Sequence, residues 1–283
     1  PGATPKVLTS RATVTILLND LNDAPTFKTP TLTVVKAENN RANVAVVTLS
    51  ATDGDALDNV TQPLTYSLVS AVNGDGMDAT EMFTITSTTN ATTEVVTYAV
   101  TVVAAKQYDF ESTANKTFIL TVRATEDGEG GLSTADSMFG DQVITLNITD
   151  VNEAPSAVFI PVSGSPSVGT TGNVTVNIPD MSVGTIIGSL SITDPDVMAA
   201  LATFGSDTIV VTVLDGSSTT TPAFTYVPHA DPTTGGSLQV NNLTTLQSKI
   251  GKPFSVRFTI KDKNGLAGAL SFTLTLTINV TDE

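Results

Sequence analysis

The residues of this chain that could do chemistry are carboxylates, set at like places in a recurring order. Glu38 stands in Lys36-Ala37-Glu38-Asn39, and Asp53 and Asp55 follow in Asp53-Gly54-Asp55. Asp109 and Glu111 lie in Tyr108-Asp109-Phe110-Glu111, and Asp150, Asn152 and Glu153 in Asp150-Val151-Asn152-Glu153-Ala154-Pro155. That last stretch has an earlier counterpart in Asp20-Leu21-Asn22-Asp23-Ala24-Pro25, and Thr281-Asp282-Glu283 reads as the start of a third. Asp-x-Asp and Asp-x-Glu in extended or turn backbone put both side chains on one side. Ca²⁺ takes about six to eight oxygens, which carboxylates, an Asn carbonyl and backbone carbonyls can supply. The chain has no cysteine and a single histidine, His229, so no soft-metal cluster competes. Other chemistries fit less well. Asp is favoured in turns for its own sake, and an isolated Asp109/Glu111 pair can simply be solvated. Paired carboxylates can hydrolyse glycosides, but a repeating order at the ends of units suits structure better than one cleft. One histidine, in the loop Pro228-His229-Ala230-Asp231, leaves no Ser-His-Asp constellation. Gly128–Gly131 lacks the strand–helix context of a phosphate cradle.

The elements that must position these carboxylates read as strands. Ala12, Val14, Ile16 and Leu18 alternate on one face of residues 11–18. Strands are predicted at 30–37, 44–51, 64–69, 82–86, 94–103, 117–124 and 142–148, separated by turn signals such as Asn73-Gly74-Asp75-Gly76. Phe118, Leu120, Val122 and Ala124 point one way, as do Ile144, Leu146 and Ile148. Residues 156–280 form a second unit. There Phe254, Val256, Phe258 and Ile260 make one inward face, and Phe272, Leu274, Leu276, Ile278 and Val280 another. A short helical turn is expected within 241–250. The units are divergent repeats: Asn147-Ile148-Thr149-Asp150 answers Asn279-Val280-Thr281-Asp282, and Asp53-Gly54-Asp55 answers Asp194-Pro195-Asp196. The expected fold is all-β, two tandem seven-stranded Greek-key β-sandwiches. The domain division reads as 1–23, the terminal strand of a preceding domain plus linker, then 24–153 and 154–283.

Composition narrows the function. With 28 acidic and 13 basic residues the net charge is −15, which argues against a nucleic-acid partner. No run approaches the ~18 apolar residues of a spanning helix, so no direct membrane insertion is expected here. A chain without cysteine needs some means of stiffening other than disulfides, and bound cations are one. It opens Pro1-Gly2-Ala3, with neither an initiator methionine nor a signal peptide, and is expected to be a piece of something longer. Seven Asn-x-Ser/Thr sequons, at Asn59, Asn90, Asn115, Asn147, Asn173, Asn242 and Asn279, would allow a glycoprotein, although chance in a threonine-rich chain also produces them. By alternation Asn147 and Asn279 point outward.

Taken together, the first-strand Glu, Asp-x-Asp, Asp-x-Glu, the turn at 124–128 and the Asp-x-Asn-(Asp/Glu)-Ala-Pro linker resemble tandem cadherin repeats. The resemblance spans residues 9–155 well and 156–283 more loosely. It implies up to three Ca²⁺ between successive domains. The ligands it implies at the Asp150 junction are Glu38, Asp109 and Glu111 from the first unit, Asp150, Asn152 and Glu153 from the linker, and Asp194, Asp196 and Asp262 from the second unit. For the upstream junction it implies Asp20, Asn22, Asp23, Asp53 and Asp55, with Glu126 or Asp127. The family linker runs one residue longer. Glu126-Asp127 stands where one Asp is usual. The second unit has no Asp-x-Glu before its sixth strand, and Asp180 is expected in place of the first-strand Glu. The junction after Asp282 is therefore expected to bind fewer ions, or more weakly, and to flex.

The function the resemblance implies is an extracellular, cell-surface adhesion rod stiffened by Ca²⁺, with neighbouring domains, other copies or surface proteins as partners. A secreted filament or matrix subunit is the alternative, and an enzyme is not expected. The tryptophan that anchors strand-swapped adhesion in the family is missing, since the chain has none.

Overall fold

The computed structural model describes every residue except 1, 3, 7, 8, 18–21, 40–43, 55–63, 127–137, 199–208, 231–234 and 263–267. Two compact units divide the chain. The first comprises Pro1–Asp109 and Thr113–Thr149, the second Phe110–Ser112 and Asp150–Glu283.

In the first unit the strands are β1 (Thr26–Phe27), β2 (Thr31–Ala37), β3 (Ala45–Leu49), β4 (Ala51–Thr52), β5 (Thr65–Asn73), β6 (Phe83–Thr89), β7 (Val96–Val102), β8 (Thr117–Thr125) and β9 (Phe139–Thr149). One sheet runs β2-β9-β8-β5 and a second β3-β7-β6, while β1 pairs with β4. β2 lies parallel to β9, and the other pairings are antiparallel. The predicted alternation holds: Phe118, Leu120, Val122, Ala124, Ile144, Leu146 and Ile148 are all buried. Phe83 meets Phe118 edge-on at 5.3 Å between ring centroids, and Tyr108, fully buried, lies 6.0 Å from Phe118. Full burial of one such ring contributes roughly 1.5–3 kcal/mol.

Two expectations differ in detail. The strand predicted over 44–51 breaks at Ser50, and its tail, β4, takes up β1 rather than β7. Residues 9–17 join no sheet, and Val14, Ile16 and Leu17 are 80%, 77% and 86% exposed. An alternating pattern makes a strand only when a neighbouring ladder and an opposing apolar face are there to receive it.

The second unit repeats the plan. Its elements are β10 (Ser156–Pro161), β11 (Thr171–Asn177), β12 (Ile186–Thr193), α1 (Pro195–Met198), β13 (Val210–Asp215), β14 (Phe224–Pro228), β15 (Gly235–Val240), α2 (Leu243–Gln247), β16 (Phe254–Lys261) and β17 (Ser271–Thr281). The sheets are β10-β12-β15-β14 and β11-β17-β16-β13, with β11 parallel to β17. Phe254, Val256, Phe258, Ile260, Leu274, Leu276, Ile278 and Val280 fill the space between them. Phe272 is only partly buried and packs on the rim of that core. The helical turn expected within 241–250 is α2, capped by Asn242, whose side chain accepts from Thr245 N at 2.9 Å. The fold is all-β, a tandem pair of sandwiches with the same strand order. Among the described residues no helix is long and apolar enough to cross a membrane.

Candidate metal-binding sites

Each unit carries a carboxylate that continues the inward ladder of its penultimate long strand by one more step. In the first unit, inward positions 118, 120, 122 and 124 lead to Glu126, which is 3% exposed; in the second, 254, 256, 258 and 260 lead to Asp262, which is 0% exposed. Strand periodicity of two aims both acids inward where the apolar core ends. The backbone then doubles back in the same way. Glu126 N donates to Met138 O at 3.3 Å, and Met138 N returns a bond to Glu126 Oε1 at 3.0 Å. Asp262 N donates to Leu270 O at 3.3 Å, and Leu270 N returns one to Asp262 Oδ1 at 2.7 Å.

A linker asparagine clasps each acid. Asn22 Nδ2 donates to Glu126 Oε1. Asn152 Nδ2 donates to Asp262 Oδ2 at 2.7 Å. This second bond fixes which way the Asn152 amide faces. Its nitrogen points at Asp262, and its oxygen, Oδ1, is buried without a hydrogen-bond partner among the described residues. A buried carbonyl oxygen in that state is costly unless a cation or water meets it.

The second unit also gathers oxygens at a carboxylate cluster. Glu111, Glu153 and Asp196 each offer a carboxylate oxygen, all lying within 4.8 Å of one another. Glu111 Oε1, Glu153 Oε2 and Asp194 Oδ2 are buried atoms. Short backbone bonds hold them in place. Glu153 N donates to Asp196 Oδ2 at 2.7 Å, and Asp196 N donates to Asp194 Oδ1 at 3.1 Å, an Asx turn at the end of β12. Three carboxylates this close repel by about 3.5 kcal/mol per ionised pair at an effective dielectric near 20. A hard divalent cation reverses that sign, and the all-oxygen donor set of carboxylates and one amide carbonyl is the kind Ca²⁺ prefers.

The first unit's leading end shows part of the same arrangement among the described residues. Asp53 follows β4, and the Asp23 carboxylate lies over the turn after it, 3.5 Å from where a side chain on Gly54 would begin. Burial pushes the Glu126 carboxyl up from its ordinary value. The hydrogen bonds from Asn22 and Met138 oppose this, and Asp53 beside it adds to it.

The other expected ligands are placed as follows. Glu38 follows β2 and is 3% exposed, its N–H bonded to Thr149 O at 2.9 Å. Asp109 is exposed, next to buried Tyr108, and Asp150 is half-buried at the start of the second unit's main segment. Asp20, Asp55 and Asp127 lie outside the described residues. Glu126 occupies an inward position that continues the alternation of β8. Asp180 does not take the place of Glu38. β2 ends with Ala37 opposite Thr149 and β11 with Asn177 opposite Thr281, so the counterpart of Glu38 is Ile178, buried at 8% exposure. Asp180, two residues on, is exposed. Among the sequons, Asn90 and Asn173 are exposed, Asn115, Asn147, Asn242 and Asn279 are half-buried, and Asn59 is outside the described residues.

No family model matches the chain. Among curated proteins it is 31% identical to mouse protocadherin Fat 2 over 147 residues, 52% of this chain and 3% of that protein. It is 30% identical to chicken cadherin-2 over 154 residues, 54% of this chain and 15% of that protein. The chain thus spans only a small part of the curated relatives it matches. Among solved structures, protocadherin gamma C5 EC1-3 aligns with 91% of this chain and 68% of its own, at 18% identity and a TM-score of 0.49.

Proposed function

We propose that this chain, made of tandem cadherin-like repeats, is an extracellular adhesion or structural module of a longer cell-surface protein, stiffened by Ca²⁺ held at its linkers. The repeats are proposed as 24–153 and 154–283, with 1–23 as the end of a preceding repeat; residues 150–153, counted with the first repeat by sequence, fold with the second unit. The observation that carries the reading is the donor set at the head of the second unit. There the Asn152 oxygen is buried, its amide nitrogen is held by Asp262, and Glu111, Glu153 and Asp196 bring carboxylate oxygens within 4.8 Å of one another. Ca²⁺, when bound, supplies positive charge that converts carboxylate repulsion into attraction.

The chain's own residues do the rest. Asp262 orients Asn152. Asp194 holds the turn that presents Asp196. The backbone of Glu153 is tied to Asp196, so the linker is drawn onto the strand ends. Glu38, Asp109 and Asp150, matched to the family residue by residue, complete the ligand set in this proposal, and the linker then loses its freedom to bend. Extracellular modules of this kind bind at about 10⁻⁴–10⁻³ M. Saturation therefore needs millimolar Ca²⁺, a condition met outside cells.

The test is thermal unfolding and small-angle scattering of the full chain in EDTA and in millimolar Ca²⁺, for the natural sequence and for Glu153→Gln. Binding to the folded form alone stabilises by about 2.7 kcal/mol at a hundredfold excess over Kd. Ca²⁺ is expected to raise the Tm and narrow the range of particle dimensions, and Glu153→Gln to lose most of both. Identical curves in EDTA and Ca²⁺ would refute the proposal.

A further inference from the structure

The trailing end of the second unit is built differently from that of the first. Where β2 ends in Ala37 and is followed by Glu38, β11 ends in Asn177 and is followed by Ile178. An apolar side chain stands in the acid's register position. The residue before it has gained a carboxamide, and that carboxamide is fully used. Asn177 Nδ2 donates to Asp180 Oδ2 at 3.0 Å and to Glu283 O at 2.9 Å. Asn177 Oδ1 accepts from Thr281 Oγ1 at 3.3 Å and from Glu283 N at 3.1 Å. An amide has two N–H donors and two carbonyl lone pairs, so all four positions are filled. The Asp180 carboxylate accepts only from the nitrogen side and thereby fixes the orientation of the amide.

The contrast with Asn152 is chemical. Asn152 offers a buried oxygen that no hydrogen bond among the described residues satisfies, whereas the Asn177 oxygen is saturated by the chain it holds. An oxygen with both lone pairs engaged gains little from a cation.

We propose that Asn177 is a neutral latch. It fixes Thr281–Glu283 against the end of β11 by hydrogen bonds alone, so that this end of the second unit is ordered without Ca²⁺. Asp180 acts as its positioning residue and not as a metal ligand. This replaces the flexing trailing end expected from the missing acids. It stands independently of the Ca²⁺ reading of the Asn152 region, because none of its four bonds involves a residue of that cluster.

Amide hydrogen exchange of the full chain, resolved by NMR at Asp282 and Glu283, tests it. The Glu283 amide is expected to be equally protected in EDTA and in millimolar Ca²⁺. Asn177→Ala is expected to speed its exchange by about fivefold in both conditions, the factor carried by one ordinary hydrogen bond. Asn177→Asp keeps the acceptor for Glu283 N–H and loses both donors, so it is expected to fall between the two. The comparison of the natural sequence in EDTA and Ca²⁺ decides the question even should a variant fail to fold. Protection that appears only with Ca²⁺ would overturn the latch, as would an Asn177→Ala chain that folds and exchanges like the natural one. A natural chain with no Ca²⁺ response at Glu153 but intact protection at Glu283 would sink the Ca²⁺ module and leave the latch standing.

Discussion

Replacing Asp262 by alanine separates the structural work of this acid from its part in the proposed Ca²⁺ site. Asp262 is fully buried and accepts two hydrogen bonds, each 2.7 Å long, from Asn152 Nδ2 and from Leu270 N. Hydrogen bonds to an ionised group contribute roughly 1.5–3 kcal/mol each. Removing the carboxylate forfeits both, but it also removes the cost of burying a charge, so the low end of their sum, about 3 kcal/mol, is expected. For a unit of this size 1 kcal/mol moves the Tm by about 4 °C, so Asp262→Ala should lower the second unit's transition by about 12 °C in EDTA. If the proposed Ca²⁺ site forms, a second effect is expected only with the ion. Once its nitrogen loses its partner, the Asn152 side chain must be ordered by the ion itself, at a cost of about 0.5–1.5 kcal/mol. The Ca²⁺-dependent rise in Tm should shrink accordingly. Asp262→Asn keeps one acceptor and should lose about half as much. Calorimetric melts of the natural chain and both variants, each in EDTA and in Ca²⁺, separate the two effects. A fall of less than about 4 °C for Asp262→Ala in EDTA, where about 12 °C is expected, would refute the claim that this acid anchors the linker without metal.

Tyr226 and Asp141 give two further tests. The Tyr226 hydroxyl is buried without a hydrogen-bond partner among the described residues, and its ring meets Phe258 edge-on at 6.0 Å. Tyr226→Phe should therefore be neutral or stabilising by up to about 1 kcal/mol in urea melts, and a loss of stability would reveal a partner for the hydroxyl. Burial also pushes the Tyr226 phenol up to about 12. The unfolded chain thus releases this proton first, so the phenol's contribution is whole below about pH 10 and is lost as pH rises toward its folded value. The difference between the natural chain and Tyr226→Phe should grow between pH 8 and pH 11, and a constant difference would count against the burial. On the other unit, Arg123 forks onto Asp141 at 2.8 and 2.9 Å while its guanidinium stacks 3.5 Å over Phe139. The Arg123 hydrogen bonds hold the Asp141 carboxyl below the usual carboxylate range, so its stabilising effect is present above the unfolded value and lost as pH falls through the folded one. In an NMR titration the Asp141 midpoint should lie below that of a free Asp and rise in Arg123→Ala. An unmoved midpoint would mean the pair does not form in solution.

Most of the strand content was legible because β8, β9, β16 and β17 each bury one face and alternate without interruption. Breaks were less legible. Nothing about Ser50 marks the point where one strand hands over to a second partner, because that choice is made by β1 and β7, distant in sequence. Residues 11–17 show the converse: a clean alternation describes what a segment could do and not whether a ladder is there to receive it. At the sites, the acidic residue types were legible, and of them Glu111, Glu153 and Asp196 come within 4.8 Å of one another. The inward place of Glu126 could have been read by counting along β8. The Asn177 bonds could not be read, because three of the four reach across 104 or 106 positions, to Thr281 and Glu283, which bear no sequence mark of being held.

The clasp between Asn152 and Asp262 bears on where one repeat ends and the next begins. The linker's asparagine is bound by an acid of the unit that follows it, as Asn22 is by Glu126. In folding terms the linker therefore belongs to its downstream neighbour. A piece cut just after Pro155 would start without its own fastening, while one cut just before Asp150 would carry it. The same seam suits duplication. A segment copied from linker to strand end brings both halves of its clasp with it.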